Sequence, residues 1–129
     1  MIFVDSNAPM YLVGAPHPNR DSLVRFLREH ASESYVSSAE VYQEIIHRGV
    51  ALDRREMISA GFELLDELVD RVFPITRGDA ERAREIAEAQ RRLSARDCLH
   101  LAVMEAQGID RVLSFDRDLA LWPGVTCLP

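Results

Sequence analysis

Five acidic positions stand where a side chain can do chemistry. Asp5 follows the apolar run Ile2-Phe3-Val4, and Asp116 comes just after Val112-Leu113-Ser114. Asp97 sits in the first turn of a stretch carrying Cys98, Leu99, Leu101, Ala102 and Val103, while Glu40 and Glu44 lie four residues apart, on one face of a helix. Each has a plainer role in isolation. Asp5 and Asp116 can cap the helices after them, and Asp97 can gain about 0.3–1 kcal/mol from a helix dipole. Glu40 and Glu44 can face solvent. Yet a carboxylate lodged on a helix as apolar as the one after Asp97 wants a cation or a donor. Gathered together, such acids repel one another and favour protonation unless a cation joins them. Magnesium and manganese prefer hard oxygen ligands and keep several waters. A bound ion of this kind lowers the pKa of its water and screens charge developing on a phosphate.

Bringing these acids together is a task for the elements around them. Ile2–Val4 reads as a buried strand that delivers Asp5, Ser6 and Asn7 at its carboxyl end. Pro16 and Pro18 break the chain before Asp21-Ser22, which is expected to cap a helix carrying Leu23, Phe26 and Leu27. Tyr35-Val36 is a second strand. Ser37 or Ser38 then caps a helix to about His47, with Gly49 just beyond it. Asp53 opens a further helix whose Ile58, Phe62, Leu65 and Val69 share one face. Val72–Ile75 is a third strand, and a helix runs from Asp79 to about Arg92. Ser94 caps the next, which reaches Gln107 and stops at Gly108. Val112–Ser114 and Val125–Leu128 complete the strands.

Strands alternating with helices predict an α/β fold, with a roughly five-stranded parallel sheet covered on both faces, in a single domain over residues 1–129. Ligands of such sheets sit beyond the carboxyl ends of the strands. That logic groups Asp5 with Asp116. It leaves Glu40 and Glu44 undecided.

Taken in order, the motifs resemble those of PIN domains, and more closely those of the VapC toxin ribonucleases of bacterial toxin–antitoxin systems. Val4-Asp5-Ser6-Asn7 looks like the family's hydrophobic-Asp-Thr-Asn, with serine for threonine. Ser38-Ala39-Glu40-Val41-Tyr42-Gln43-Glu44-Ile45 resembles the second motif, in which a serine precedes the acidic ligand by six residues, and that spacing selects Glu44 over Glu40. The segment Leu93–Ala102 resembles the third motif, with Asp97 as ligand, and Leu113–Leu119 resembles the fourth, with Asp116 the principal acid and Leu119 in place of an aromatic residue. The resemblance spans essentially the whole chain and implies a three-layer α/β/α fold. It implies a Mg2+-dependent (Mn2+ also suitable) endoribonuclease, with Asp5, Glu44, Asp97 and Asp116 as metal ligands and catalytic acids and with products ending in a 3′-hydroxyl and a 5′-phosphate. It further implies a cognate VapB-like antitoxin that covers the site, and a homodimer. Ser6, Asn7 and Ser114 are expected to orient ligands or water, with Asp118, Glu40 and Arg96 as accessory residues. The competing reading is a PIN-like protein that has lost activity and regulates through a protein partner; the intact set of acids argues against it.

The rest of the composition narrows the choice. The chain has 129 residues, 47% hydrophobic and 28% charged, enough for a core without disulfides or structural zinc. Its net charge of −6 is unlike that of a protein that coats nucleic acid, although acids concentrated in a metal site account for part of it. All 15 basic residues are arginine. Acid-at-strand-end phosphatases, receiver domains and P-loop proteins each rely on a lysine, so those readings fall. Cys98 and Cys127 form no C-x-x-C pair and read as buried thiols. His100, three residues after Asp97, reads more readily as a packed histidine than as a ligand. Arg48, Arg54 and Arg55, like Arg91 and Arg92, read as solvated charge, and Arg82 and Arg84 as partners of neighbouring Glu81, Glu85 and Glu88. Met10, Tyr11 and Leu12 suit either an interface or the core. No signal-peptide pattern and no apolar run near the roughly 20 residues of a membrane helix are present, so a cytoplasmic protein is expected.

Overall fold

The computed structural model describes residues 1–129. Five strands form one parallel sheet: β1 (Ile2–Val4), β2 (Tyr35–Ser38), β3 (Arg71–Phe73), β4 (Arg111–Leu113) and β5 (Thr126–Leu128), in the order β3-β2-β1-β4-β5. The register sets Phe3 between Val36 and Val112, and Val4 beside Leu113. β1 is central, and its Ile2, Phe3 and Val4 are fully buried. A parallel strand covered on both faces needs such an unbroken apolar run, and each of these side chains contributes about 1.5–3 kcal/mol by leaving water.

The helices are α1 (Asn7–Val13), α2 (Pro18–Glu29), α3 (Ala39–Ala51), α4 (Glu56–Leu68), α5 (Arg77–Ala89) and α6 (Ala95–Ala106). Helix α1 packs on α2 and α4, α3 packs on α4, and α5 packs on α6. The connections from β1 to β2 and on to β3 step one way across the sheet, and the return to β4 steps the other. Right-handed crossovers therefore put α1–α4 on one face and α5–α6 on the other, which gives three layers. The reversal falls between β1 and β4, and there the carboxyl ends of two adjacent strands open a crevice.

Several boundaries differ from those expected. α2 begins at Pro18 rather than Asp21, because a proline in the first turn has no N–H to lose and the His17 ring nitrogen accepts from the Asn19 N–H. At the entry to α3, Ser38 holds the capping position, but its hydroxyl makes no cap bond; the Ser37 hydroxyl instead donates to the Val4 carbonyl at 2.9 Å. Gly49 lies within α3, not after it. A Cβ there would collide with the Ile58 side chain, so the missing side chain is what lets α3 and α4 approach. Asp53 has φ of 51° and forms the turn before α4 instead of opening the helix. Helix α5 starts two residues early, through a reciprocal cap between Thr76 and Asp79. Ser94 caps α6 as expected, accepting from the Asp97 N–H.

Met10 is core, and Tyr11 and Leu12 are partly buried against it. Both cysteines are free, Cys98 buried and Cys127 half-buried. No helix is long and apolar enough to cross a membrane.

Candidate metal centre

The crevice at the carboxyl edge is built from the strand ends upward. The Asp5 N–H still donates to the Leu113 carbonyl at 3.1 Å, which holds its Cα in line with β4. Its side chain is then fixed from two sides: Oδ1 accepts the Ser6 N–H at 2.7 Å, and Oδ2 accepts the Ser114 hydroxyl at 2.7 Å. The Ser114 oxygen in turn accepts from Asn7 Nδ2 and from the Asp116 N–H, both at 3.0 Å, and Asn7 Oδ1 accepts the Phe115 N–H. One hydroxyl thus ties the end of β1 to the end of β4. Asn7 and Ser114 thus both contact the acids or their backbone.

Asp5, Glu44, Asp97 and Asp116 all line one depression, together with Ser6, Asn7, Ser94, Arg48 and Arg96. Glu44 comes from the second turn of α3, Asp97 from the first turn of α6, and Asp116 from the turn after β4. Asp5, Glu44 and Asp97 are buried, whereas Asp116 is half-exposed. Glu40, one turn before Glu44, does not line the depression; it lies 4.0 Å from Arg96. Asp118 is exposed and outside it, and its N–H donates to Asp116 Oδ1 at 3.0 Å. Asp116 is therefore both a lining acid and the cap of a short 3₁₀ turn over Arg117–Leu121.

Sequence reasoning underrated His100. Its ring is 1% exposed beneath the acids, with Nε2 3.0 Å from Glu44 Oε1 and 3.6 Å from Asp5 Oδ1. Nδ1 has no partner. The packed-histidine reading describes its burial, since the ring lies against Phe3 with centroids 5.5 Å apart. It misses the two carboxylates, which are far away in sequence. The one available signal was its position three residues after Asp97. Arg48, read as solvated charge, also reaches the depression.

The electrostatics follow from crowding. Burial, then the charges of Asp116 and Asp5, push the Asp97 carboxyl up to about 7. Burial likewise raises Asp5, although His100 and the Ser114 hydroxyl counter it. Burial would raise Glu44 too, but the hydrogen bond and charge of His100, with help from Ser6 and Arg96, outweigh it and lower the pKa. For His100 burial acts downward, and the Glu44 hydrogen bond and the charges of Asp5, Glu44 and Asp97 reverse it, so its pKa is raised. The site therefore holds more negative charge than its own donors satisfy. Ligand atoms of Asp5, Glu44 and His100 all lie within 4.8 Å of one another, and Asp97 and Asp116 line the same depression outside that group. This donor set fits a hard divalent cation.

Comparison with known proteins agrees with this geometry. The PIN domain family model matches residues 2–123. The ribonuclease VapC13 of Mycobacterium tuberculosis is 50% identical over 127 residues, covering 97% of each chain. Ribonuclease VapC23 of the same species is 37% identical over 123 residues, covering 93% of this chain and 96% of that one. Among solved structures, VapC20 of M. tuberculosis, described as a sarcin-ricin loop cleaving toxin, superposes with a TM-score of 0.79 at 25% identity over the full length of both chains. VapBC2 of Rickettsia felis, solved with a DNA fragment from its promoter, shares the fold, with a TM-score of 0.74 at 13% identity over 98% of this chain and 97% of that one. A full-length match to the family model and half-identical relatives, on top of four acids at one sheet edge, place the chain in the PIN domain family, among its VapC ribonucleases.

Proposed function

We propose that this protein is a metal-dependent endoribonuclease, the toxin of a toxin–antitoxin pair, and that Asp5, Glu44, Asp97 and Asp116 hold Mg2+ or Mn2+ for hydrolysis of RNA phosphodiesters. One observation carries the reading: acids from β1, α3, α6 and the turn after β4 converge on a single open depression in which Asp97 is held near pKa 7. A divalent ion bound there supplies a water of lowered pKa and screens charge on the phosphate. Asp5 presents its carboxylate in a fixed orientation because Ser114 and the Ser6 N–H hold both oxygens. His100 holds Oε1 of Glu44 and so orients that carboxylate. Asn7, held by Ser114 and the Phe115 N–H, and Ser6, which helps to hold Glu44, orient the ligands. Glu40 and Arg96 form a flanking pair, and Asp118 acts only through the backbone turn that sets Asp116.

Solved relatives of the same fold include a toxin–antitoxin complex from Klebsiella pneumoniae and VapBC2 of R. felis. They support a cognate antitoxin as partner, and the relatives named as ribonucleases support RNA as substrate. Exposed Ile46 and Val50 on α3, with Leu52 just after it, offer apolar surface for the antitoxin or for a second copy in a homodimer.

The test is cleavage by purified, antitoxin-free protein. RNA should be cut with Mg2+ or Mn2+ and left intact in EDTA, and Asp5→Asn and Asp97→Asn should each remove the activity. Cutting that persists in chelator, or that survives both substitutions, overturns the mechanism. Sequencing the 5′ ends of fragments after induced expression identifies the RNA.

A further inference from the structure

A phosphodiester entering this site meets four carboxylates on a protein of net charge −6. Bound divalent ions offset the acids without making the surroundings attractive, so the hold on the RNA backbone must come from cations at the rim. Only two of the residues lining the depression are basic, Arg48 and Arg96. Arg96 faces Glu40 at 4.0 Å. Arg48 makes no ion pair, unlike Arg54, Arg77, Arg82, Arg84 and Arg111, each of which meets a glutamate.

The place of Arg48 is as informative as its freedom. It lies four residues after Glu44, so it shares the α3 face that delivers that acid. It also lines two adjoining depressions: one with Asn7, Met10, Tyr11, Leu52 and Met57, the other with His47, Ala51, Leu52 and Arg96. A strand crossing the acids on the α3 side must pass its guanidinium. That group is planar, permanently charged and forked, which suits two oxygens of one phosphate.

We propose that Arg48 binds the RNA backbone at a phosphate next to the one being cut, and so fixes the strand over the acids. This rests on the nuclease reading above and adds a substrate-binding residue to it. Arg48 is exposed, so its replacement leaves the core intact.

The experiment measures kcat and KM for cleavage of a mixed-sequence, fluorescein-labelled single-stranded RNA in Mg2+ over a series of KCl concentrations, with Mn2+ affinity measured by calorimetry. Arg48→Ala should raise KM about tenfold, the loss of one charged hydrogen-bonded contact. It should also flatten the slope of log KM against log salt by about 0.7, one phosphate contact on a single strand, with Mn2+ affinity unchanged. Arg48→Lys should restore the slope and only part of the affinity. An unchanged KM and slope in an active Arg48→Ala protein overturns this role alone, as does a KM effect accompanied by weaker Mn2+ binding. A wild-type protein that cuts no RNA overturns the nuclease reading, and this proposal with it.

Discussion

His100 Nε2 lies 3.0 Å from Glu44 Oε1, joining α6 to α3 across 56 residues of sequence beneath the acid cluster. The ring is 1% exposed and has Asp5 as its other polar neighbour, at 3.6 Å. Removing it takes the ring donor from buried Glu44 and the nearest positive charge from Asp5, and opens a cavity against Phe3. His100→Ala should therefore cost about 3 kcal/mol of unfolding free energy in urea titrations. His100→Gln, which keeps a donor, should cost clearly less. Metal affinity in the alanine variant should fall by roughly 10- to 100-fold, because the group that orients Glu44 is gone.

The raised Asp97 carboxyl makes the metal-free protein sensitive to pH in a definite direction. Its folded pKa of about 7 exceeds the ordinary 3.8, so between those values the folded state holds a proton that the unfolded chain has released. This contribution to stability is complete below about pH 4 and is lost as pH rises towards 7. His100 and Asp5, both raised, act in the same sense, and Glu44, lowered, opposes them. Melting temperature in EDTA should thus decline from pH 5 to pH 8, and Asp97→Asn should flatten the decline. A steeper decline in the variant would contradict the assignment.

Metal uptake is the other face of the same proton. Loading Mn2+ near pH 6 should release protons, and the apparent affinity should improve with pH up to about 7 and then level off as Asp97 becomes ionised. Calorimetry in buffers of different ionisation enthalpy counts the protons.

Ser114 accepts two hydrogen bonds and donates one, all within the crevice. Ser114→Ala should destabilise by about 1–3 kcal/mol, since the Asp116 N–H and an Asp5 oxygen lose their partner. It should also weaken metal binding. Ser114→Thr, which keeps the hydroxyl, should retain more of both properties than Ser114→Ala.

Gly49 and Gly78 provide a paired test of packing against propensity. Alanine favours a helix interior over glycine by about 0.8–1 kcal/mol. At Gly78 the new methyl meets only Thr76 Oγ1 at 3.6 Å, so Gly78→Ala should be neutral or stabilising. At Gly49 it collides with Ile58, so Gly49→Ala should lower the melting temperature despite the same propensity gain.

The strands were legible because each is built around a short apolar stretch, and Asp5 and Asp116 because they stand just past the ends of two of them. Helix α1 was harder: Asn7–Val13 contains Pro9 and spans only seven residues, so it has no periodic pattern to read. Gly49 looked like a helix stop because the tight contact with Ile58 that requires glycine is tertiary. Asp53 looked like a cap because the same residue type also tolerates the positive φ of a turn. In the site, strand-end placement grouped Asp5 with Asp116, and the resemblance to PIN-domain motifs supplied Glu44 and Asp97. The grip of His100 on Glu44, and the passage of Arg48 into the crevice, depend on how α3 and α6 meet over the sheet edge, and no local pattern encodes that meeting.

The order of the sheet has a consequence for synthesis. β1 leaves the ribosome first but remains without its β4 neighbour until residues 111–113 emerge, and the acids at positions 5, 44, 97 and 116 span nearly all of the chain. A growing polypeptide therefore carries no finished cutting centre while most of it is being made. A product truncated before β4 lacks both the hydroxyl that holds Asp5 and the last acid. The four acids are gathered at one edge only when translation is almost complete.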